Sequence, residues 1–128
     1  MSRILVVDDD VVQLDLYMQT LEIAGYAVEV ALNASQALRR VGKADLAIID
    51  LRLPDALGES EARVGIALIR SIRDSGCRAP VIVLSGWPED LYGQPEEQLV
   101  SRILVKPVPP RELLGTIRDL LADAVPVT

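Results

Sequence analysis

Apolar residues in this chain gather into five short runs, at 4–7, 27–31, 46–49, 81–84 and 103–105, each followed by polar or turn-forming residues. Short apolar runs bounded by turn signals read as strands, and a run without alternation reads as a strand buried on both faces. Between the runs the spacing becomes helical. Residues 11–24 carry a helical pattern, with Gly25 placed to end it. Asn33-Ala34-Ser35-Gln36 has the form of a capping box, opening a short helix through Val41 that Gly42 ends. Ile66, Leu68, Ile69 and Ile72 make a stripe that runs to Ser75-Gly76. Leu113, Leu114, Ile117, Leu120 and Leu121 make another after Pro109-Pro110, where proline favours the first helical position. Strands alternating with helices predict an α/β domain with a doubly wound, five-stranded parallel sheet in the flavodoxin-like order 2-1-3-4-5.

Three stretches are less regular. In 11–24, Asp15, Gln19 and Glu22 share one face, and Gln13, Tyr17, Thr20, Leu21 and Ala24 lie opposite. This leaves two apolar flanks, Val12, Leu16 and Ile23 on one side and Val11, Leu14 and Met18 on the other, and both are expected to be buried, the alternative being that one is a partner-docking surface. The polar segment 55–64 is long for a connection between strand and helix. Pro88, Gly93 and Pro95 interrupt 87–101, which predicts one short helix over 95–100. The domain is expected over residues 1–122, with a tail at 123–128.

Composition narrows the chemistry. The chain has 128 residues, half of them apolar, enough for one domain to bury a core without metals or crosslinks. A formal charge of −6 argues against nonspecific attraction to nucleic acid or anionic membrane. Cys77 is the single cysteine, so no disulfide closes within the chain, and it reads as a buried or half-buried loop thiol. No apolar stretch reaches the roughly 18 residues that span a bilayer, and a cytoplasmic protein is expected. Histidine is absent, which removes imidazole bases, Ser-His-Asp triads and His-based zinc sites.

What remains is carboxylate, lysine, hydroxyl and backbone, and four predicted strands end in such groups. Asp8-Asp9-Asp10 follows the first strand, Asp50 the third, Ser85 the fourth and Lys106 the fifth. The predicted sheet order places Asp8, Asp9 and Asp50 at the switch point. Carboxylates brought together call for a cation, and hard oxygen ligands favour Mg2+, which is usually completed by phosphate oxygens. Lys106 and Ser85 suit a phosphoryl group. The chemistry this points to is attack by Asp50 on phosphorus to give an acyl phosphate. A carboxylate needs no general base near pH 7.

The residues that carry this pattern also carry a resemblance. Ile-Leu-Val-Val-Asp-Asp-Asp at 4–10, Ile-Ile-Asp-Leu-Arg-Leu-Pro at 48–54, Val-Leu-Ser-Gly at 83–86 and Leu-Val-Lys-Pro at 104–107 resemble the receiver domain of two-component response regulators, from Arg3 to Ala122. The resemblance implies a CheY-like fold. It makes Asp50 the phosphoacceptor, with Mg2+ held by Asp8, Asp9, Asp50 and the backbone carbonyl of Arg52. Ser85 becomes the switching hydroxyl and Lys106 the phosphoryl contact, and a cis bond is implied before Pro107. The implied partners are a sensor histidine kinase or histidine phosphotransfer protein as donor and a downstream effector or second copy as receiver of the signal. No direct contact with nucleic acid or membrane is expected, and no catalysis beyond the chain's own phosphorylation and dephosphorylation.

The sequence departs from the family pattern in three places. Ile103 stands where an aromatic ordinarily accompanies the switching hydroxyl. Gly65 matches the glycine that opens the third helix, but extra residues precede it, and Gly58 stands at the usual distance from Pro54. The extra segment is therefore expected either to lengthen the helix or to form a lid. The fourth helix is eroded by Pro88, Gly93 and Pro95. Trp87 is expected half-exposed at the mouth of the site, and the Arg52 side chain is expected solvated. The second reading is an interaction adaptor of the same fold with little phosphorylation-driven change. A third, an aspartyl phosphatase, lacks its acid-base carboxylate because Arg52 stands there. No DNA-binding or catalytic output segment is present, so a stand-alone receiver or a piece of a larger regulator or hybrid kinase is expected.

Overall fold

A computed structural model describes residues 1–124. In chain order the elements are β1 (Arg3–Val7), α1 (Val11–Ile23), β2 (Ala27–Ala31), α2 (Ala34–Arg40), β3 (Leu46–Asp50), β4 (Leu53–Pro54), β5 (Ser60–Glu61), α3 (Ala62–Asp74), β6 (Val81–Ser85), β7 (Arg102–Val105) and α4 (Pro110–Ala124). Five strands form one sheet in the order β2-β1-β3-β6-β7, every pairing parallel. This is the predicted order, with the predicted runs as its strands.

Because side chains alternate along a strand, each apolar run feeds two cores. Leu5, Val7, Ala47, Ile49, Val81 and Val83 face α2 and α3, meeting Ala37, Leu68, Ile69 and Ile72. Ile4, Val6, Leu46, Ile48, Ile82 and Leu84 face the other way and meet Leu14, Leu21, Leu113, Ile117 and Leu120. Each fully buried aliphatic side chain contributes about 1.5–3 kcal/mol against exposure, which ties the sheet's register to the core.

Four expectations change. In α1 the buried residues are Leu14 and Leu21, while Val11, Val12, Leu16 and Ile23 are exposed. The expectation that both flanks are buried is wrong. The helix rests on the stripe of Leu14, Tyr17 and Leu21, which contacts the core formed with α4, because Tyr17 offers an apolar ring to that core despite its polar tip. In 87–101 the structure has two 3-10 turns, Pro88–Asp90 and Pro95–Leu99, and no α-helix. Each proline starts its turn, where its missing N–H costs nothing, and neither turn grows further. Residues 41–43 form a 3-10 turn that carries the chain past the expected stop at Gly42. Finally, α4 continues to Ala124, and residues 125–128 of the expected tail lie outside the described residues. Among the described residues, no helix is long and apolar enough to cross a membrane.

Candidate functional site

The ladder brings the chemistry to one edge. Val7 pairs with Ile49, Asp50 with Leu84 and Ser85 with Val105. Asp8, Asp50, Ser85 and Lys106 therefore emerge together at the carboxyl ends of four neighbouring strands, where open parallel sheets bind ligands. The three aspartates after β1 divide their work. Asp10 caps α1, its Oδ1 accepting from the amides of Val12 at 3.0 Å and Gln13 at 3.3 Å. Asp8 and Asp9 face Asp50, and one oxygen from each of the three lies within 4.8 Å of the others. Lys106 Nζ donates to Asp8 Oδ2 at 3.2 Å and to Asp50 Oδ2 at 3.3 Å. The remaining oxygens are oriented by backbone: Asp8 Oδ1 accepts from the Asp10 amide at 3.0 Å, and Asp50 Oδ1 from the Arg52 amide at 3.3 Å.

Three carboxylates against one ammonium leave negative charge uncompensated, and all the donors are hard oxygens without histidine or thiolate. That donor set fits Mg2+. A second acidic group, Asp55, Glu59 and Glu61, makes no comparable case, because Arg63 pairs with Asp55 and Glu61, and the Asp55 carboxylate takes the amides of Leu57 and Glu59.

Burial raises the Asp50 pKa above the usual aspartate value, and Lys106 opposes the rise without cancelling it. For Lys106, burial favours the neutral amine, but the Asp50 and Asp8 carboxylates outweigh it and hold the pKa above the usual lysine value. These shifts have opposite consequences for stability. Lys106 stabilises the fold fully below the ordinary lysine pKa, and that contribution is lost as pH rises through the raised value. The native chain holds the Asp50 proton more tightly than the unfolded chain does, so stability falls as pH climbs from the ordinary aspartate value through the raised one. In metal-free buffer, Asp50→Asn is expected to remove that acid-side slope and raise the urea midpoint at neutral pH. Denaturation curves for both chains across the acid range check this, and identical slopes would count against the burial argument.

Ser85 is fully buried. Its hydroxyl oxygen accepts the Trp87 amide at 3.0 Å and its carbonyl accepts the Lys106 amide at 3.0 Å, which ties β6 to the loop after β7. Ile103 is half-buried, packed against the core on the α2 and α3 side. The Lys106–Pro107 bond is cis, as the resemblance implied. Trp87 is 50% exposed, in line with its expected place. The expectation for Arg52 is corrected. Its guanidinium lies 3.7 Å from the centroid of the Trp87 ring, and its Nε donates to Asp90 Oδ2 at 3.0 Å. The aromatic face and the carboxylate hold a cation that sequence alone placed in solvent.

The extra segment after Pro54 is a small hairpin. Strands β4 and β5 pair antiparallel, Leu53 with Glu61 and Pro54 with Ser60, around a turn in which Gly58 takes φ 84°. It neither lengthens α3 nor stays irregular, and its Ser60 hydroxyl donates to Asp9 Oδ2 at 3.4 Å. Gly65 is the glycine that matters to the site. Its amide donates to the Leu51 carbonyl at 3.0 Å, and a Cβ there would sit 2.3 Å from that oxygen. Sequence reasoning missed Asp90 and Ser60. Asp90 gives no local signal, since its partner is Arg52, 38 residues earlier.

Comparison with known proteins agrees with this geometry. The sequence model of the response regulator receiver domain matches residues 4–118. An uncharacterized transcriptional regulatory protein of Bacillus subtilis, YbdJ, is 35% identical over 93% of this chain and 50% of its own length. A CpxR homolog of Haemophilus influenzae is 31% identical over 94% of this chain and 51% of its own. The chain thus spans about half the length of these curated relatives. Among solved structures, the response regulator TrrA of Thermotoga maritima, in complex with Mg2+-BeF, superposes with a TM-score of 0.79 at 29% identity, covering 94% of this chain and 99% of that one.

Proposed function

The chain belongs to the family of response regulator receiver domains, and on that premise we propose that it takes a phosphoryl group onto Asp50 from a histidine kinase or histidine phosphotransfer protein. The observation that carries the reading is Lys106 bridging Asp8 and Asp50 beside an all-oxygen cluster at the sheet's switch point. One Asp50 oxygen forms a bond to phosphorus as the donor's P–N bond breaks, and the electron pair leaves with the imidazole nitrogen. Asp8, Asp9, Asp50 and the Arg52 carbonyl would hold Mg2+, which when bound offsets the charge on the phosphoryl oxygens. Lys106 moves from carboxylate to phosphoryl oxygen, and the Ser85 hydroxyl donates to another. The chain's catalysis is confined to gaining and losing this group, and its output is a changed protein-binding surface.

Incubation with a phosphorylated donor and Mg2+ is expected to add the mass of one phosphoryl group. No uptake from any phosphohistidine or acyl phosphate donor, with no Mg2+ binding, would sink the reading. Val12 and Leu16 are exposed in the first turns of α1, which Asp10 caps, and they offer a protein donor an apolar surface beside the site. Leu16→Glu is expected to slow transfer from a protein donor by about tenfold or more while uptake from acetyl phosphate is unchanged. Equal losses with both donors would remove that docking role.

Two observations favour a second reading, an adaptor that transmits little change: Ile103 is packed where the family has an aromatic, and two short turns replace a helix between β6 and β7. Amide spectra with and without Mg2+ and beryllofluoride separate the two. Shifts confined to the loops around Asp50 favour the adaptor, and shifts reaching β7 favour the switch.

A further inference from the structure

Arg52 is tied to both phosphoryl-binding loops. Its amide donates to Asp50 Oδ1 at 3.3 Å, while its guanidinium stacks on Trp87 and pairs with Asp90. Trp87 in turn gives its amide to the Ser85 hydroxyl oxygen at 3.0 Å. A chain of contacts therefore runs from the acceptor carboxylate through Arg52 and Trp87 to the buried serine. We propose, resting on the reading of Asp50 as phosphoacceptor, that the Arg52 side chain is a second phosphoryl-binding cation. It is parked on Trp87 and Asp90 in the unmodified chain and exchanges Asp90 for phosphoryl oxygens when Asp50 is modified.

Charge and chemistry favour the exchange. Asp90 offers a single carboxylate, and the pair is partly exposed, with side-chain exposures of 36% for Arg52 and 22% for Asp90. A pair of that kind holds its partner by only about fivefold. The phosphoryl group adds a charge of about −1.5 to −2 and three acceptor oxygens, which a guanidinium can grip with two parallel hydrogen bonds. Lys106 is the first cation at Asp50, and Arg52, whose amide meets the same carboxylate, carries the next. Its backbone lies at the acceptor, and the side chain is long enough to fold back over its own amide. Departure of the guanidinium frees the Trp87 ring and removes the side-chain tether on Asp90. The turn at 88–90 then keeps its backbone bonds from Asp90 to Trp87 at 3.1 Å and from Leu91 to Pro88 at 3.0 Å, and it pivots on the buried Leu91. It also touches β7, so its movement reaches the edge strand without an aromatic at position 103.

Trp87 is the chain's single tryptophan, so intrinsic fluorescence reads the exchange directly. The full chain is titrated with beryllofluoride in Mg2+, with Mg2+ alone as the reference, and acetyl phosphate labelling is followed by mass on separate, beryllium-free samples. The parent chain is expected to change its Trp87 emission with beryllofluoride beyond the Mg2+ reference. Arg52→Ala is expected to lose that change and to bind beryllofluoride about tenfold more weakly. Asp90→Asn, which frees the parked cation, is expected to bind it about threefold more tightly. A phosphoryl mass gain with Trp87 emission no different from the Mg2+ reference overturns the exchange alone. So does an Arg52→Ala chain that keeps the parent's emission change and affinity, or an Asp90→Asn chain that binds no more tightly than the parent. Absence of a mass gain from acetyl phosphate and from every phosphohistidine donor, with no Mg2+ binding, overturns the acceptor reading and the exchange with it.

Discussion

Asp50→Asn is expected to abolish uptake of the phosphoryl group from acetyl phosphate, leaving the mass of the chain unchanged after incubation with Mg2+. An amide is a poor nucleophile at phosphorus and carries no charge, whereas the Asp50 carboxylate is held with one oxygen on Lys106 and the other on the Arg52 amide. Asp8, buried, and Asp9, exposed, stand in the same cluster as Asp50, so uptake by either would appear as a residual mass gain in the variant. Intact-mass spectrometry decides it. A full phosphoryl gain in the variant would mean that another residue is the acceptor.

Gly65→Ala is expected to destabilise the fold by about 2 kcal/mol or more, although alanine is the better helix former by about 1 kcal/mol. The added Cβ would lie 2.3 Å from the Leu51 carbonyl oxygen and 2.5 Å from its Cα, and these are backbone atoms that cannot rotate away. Either α3 withdraws, opening space beside Leu68 and Ile69, or the loop carrying Leu51 gives way. Leu51 stands between Asp50 and Arg52, so the second route displaces Asp50 and the candidate metal site together. Urea denaturation measures the stability and a Mg2+ titration measures the site. Loss in the first with an unchanged second would show that α3 moves and the loop holds. A chain as stable as the parent would show that the close approach is not a constraint.

The strands, their parallel order and the four chemical groups at their ends were all legible in the sequence. Apolar runs buried on both faces leave few ways to stack, and right-handed crossovers select among them. The face of α1 was misread because hydropathy ranks Val12, Leu16 and Ile23 above Tyr17, yet the sheet and α4 take the tyrosine ring and leave those aliphatic residues outside. Pro88 and Pro95 announced an irregular connection after β6, but not that it would consist of two 3-10 turns. The hairpin at 53–61 was open between a longer helix and a lid. It is decided by two residue pairs between β4 and β5 and by the Asp55 carboxylate taking the amides of Leu57 and Glu59, contacts too local and too weak to stand out in a polar segment.

The sequence by itself determined the sheet, the identity of Asp8, Asp9, Asp50, Ser85 and Lys106 as the groups to watch, and the absence of imidazole chemistry. Those rest on periodicity and residue type, which are properties of the chain read in one dimension. The partners of the side chains were decided only by tertiary structure. Arg52 on Trp87 and Asp90, Ser60 on Asp9, and Gly65 against Leu51 each join segments whose separation in sequence carries no signal. A guanidinium chooses its partner by distance and geometry across folded loops, and those distances exist only once the sheet has set the loops side by side.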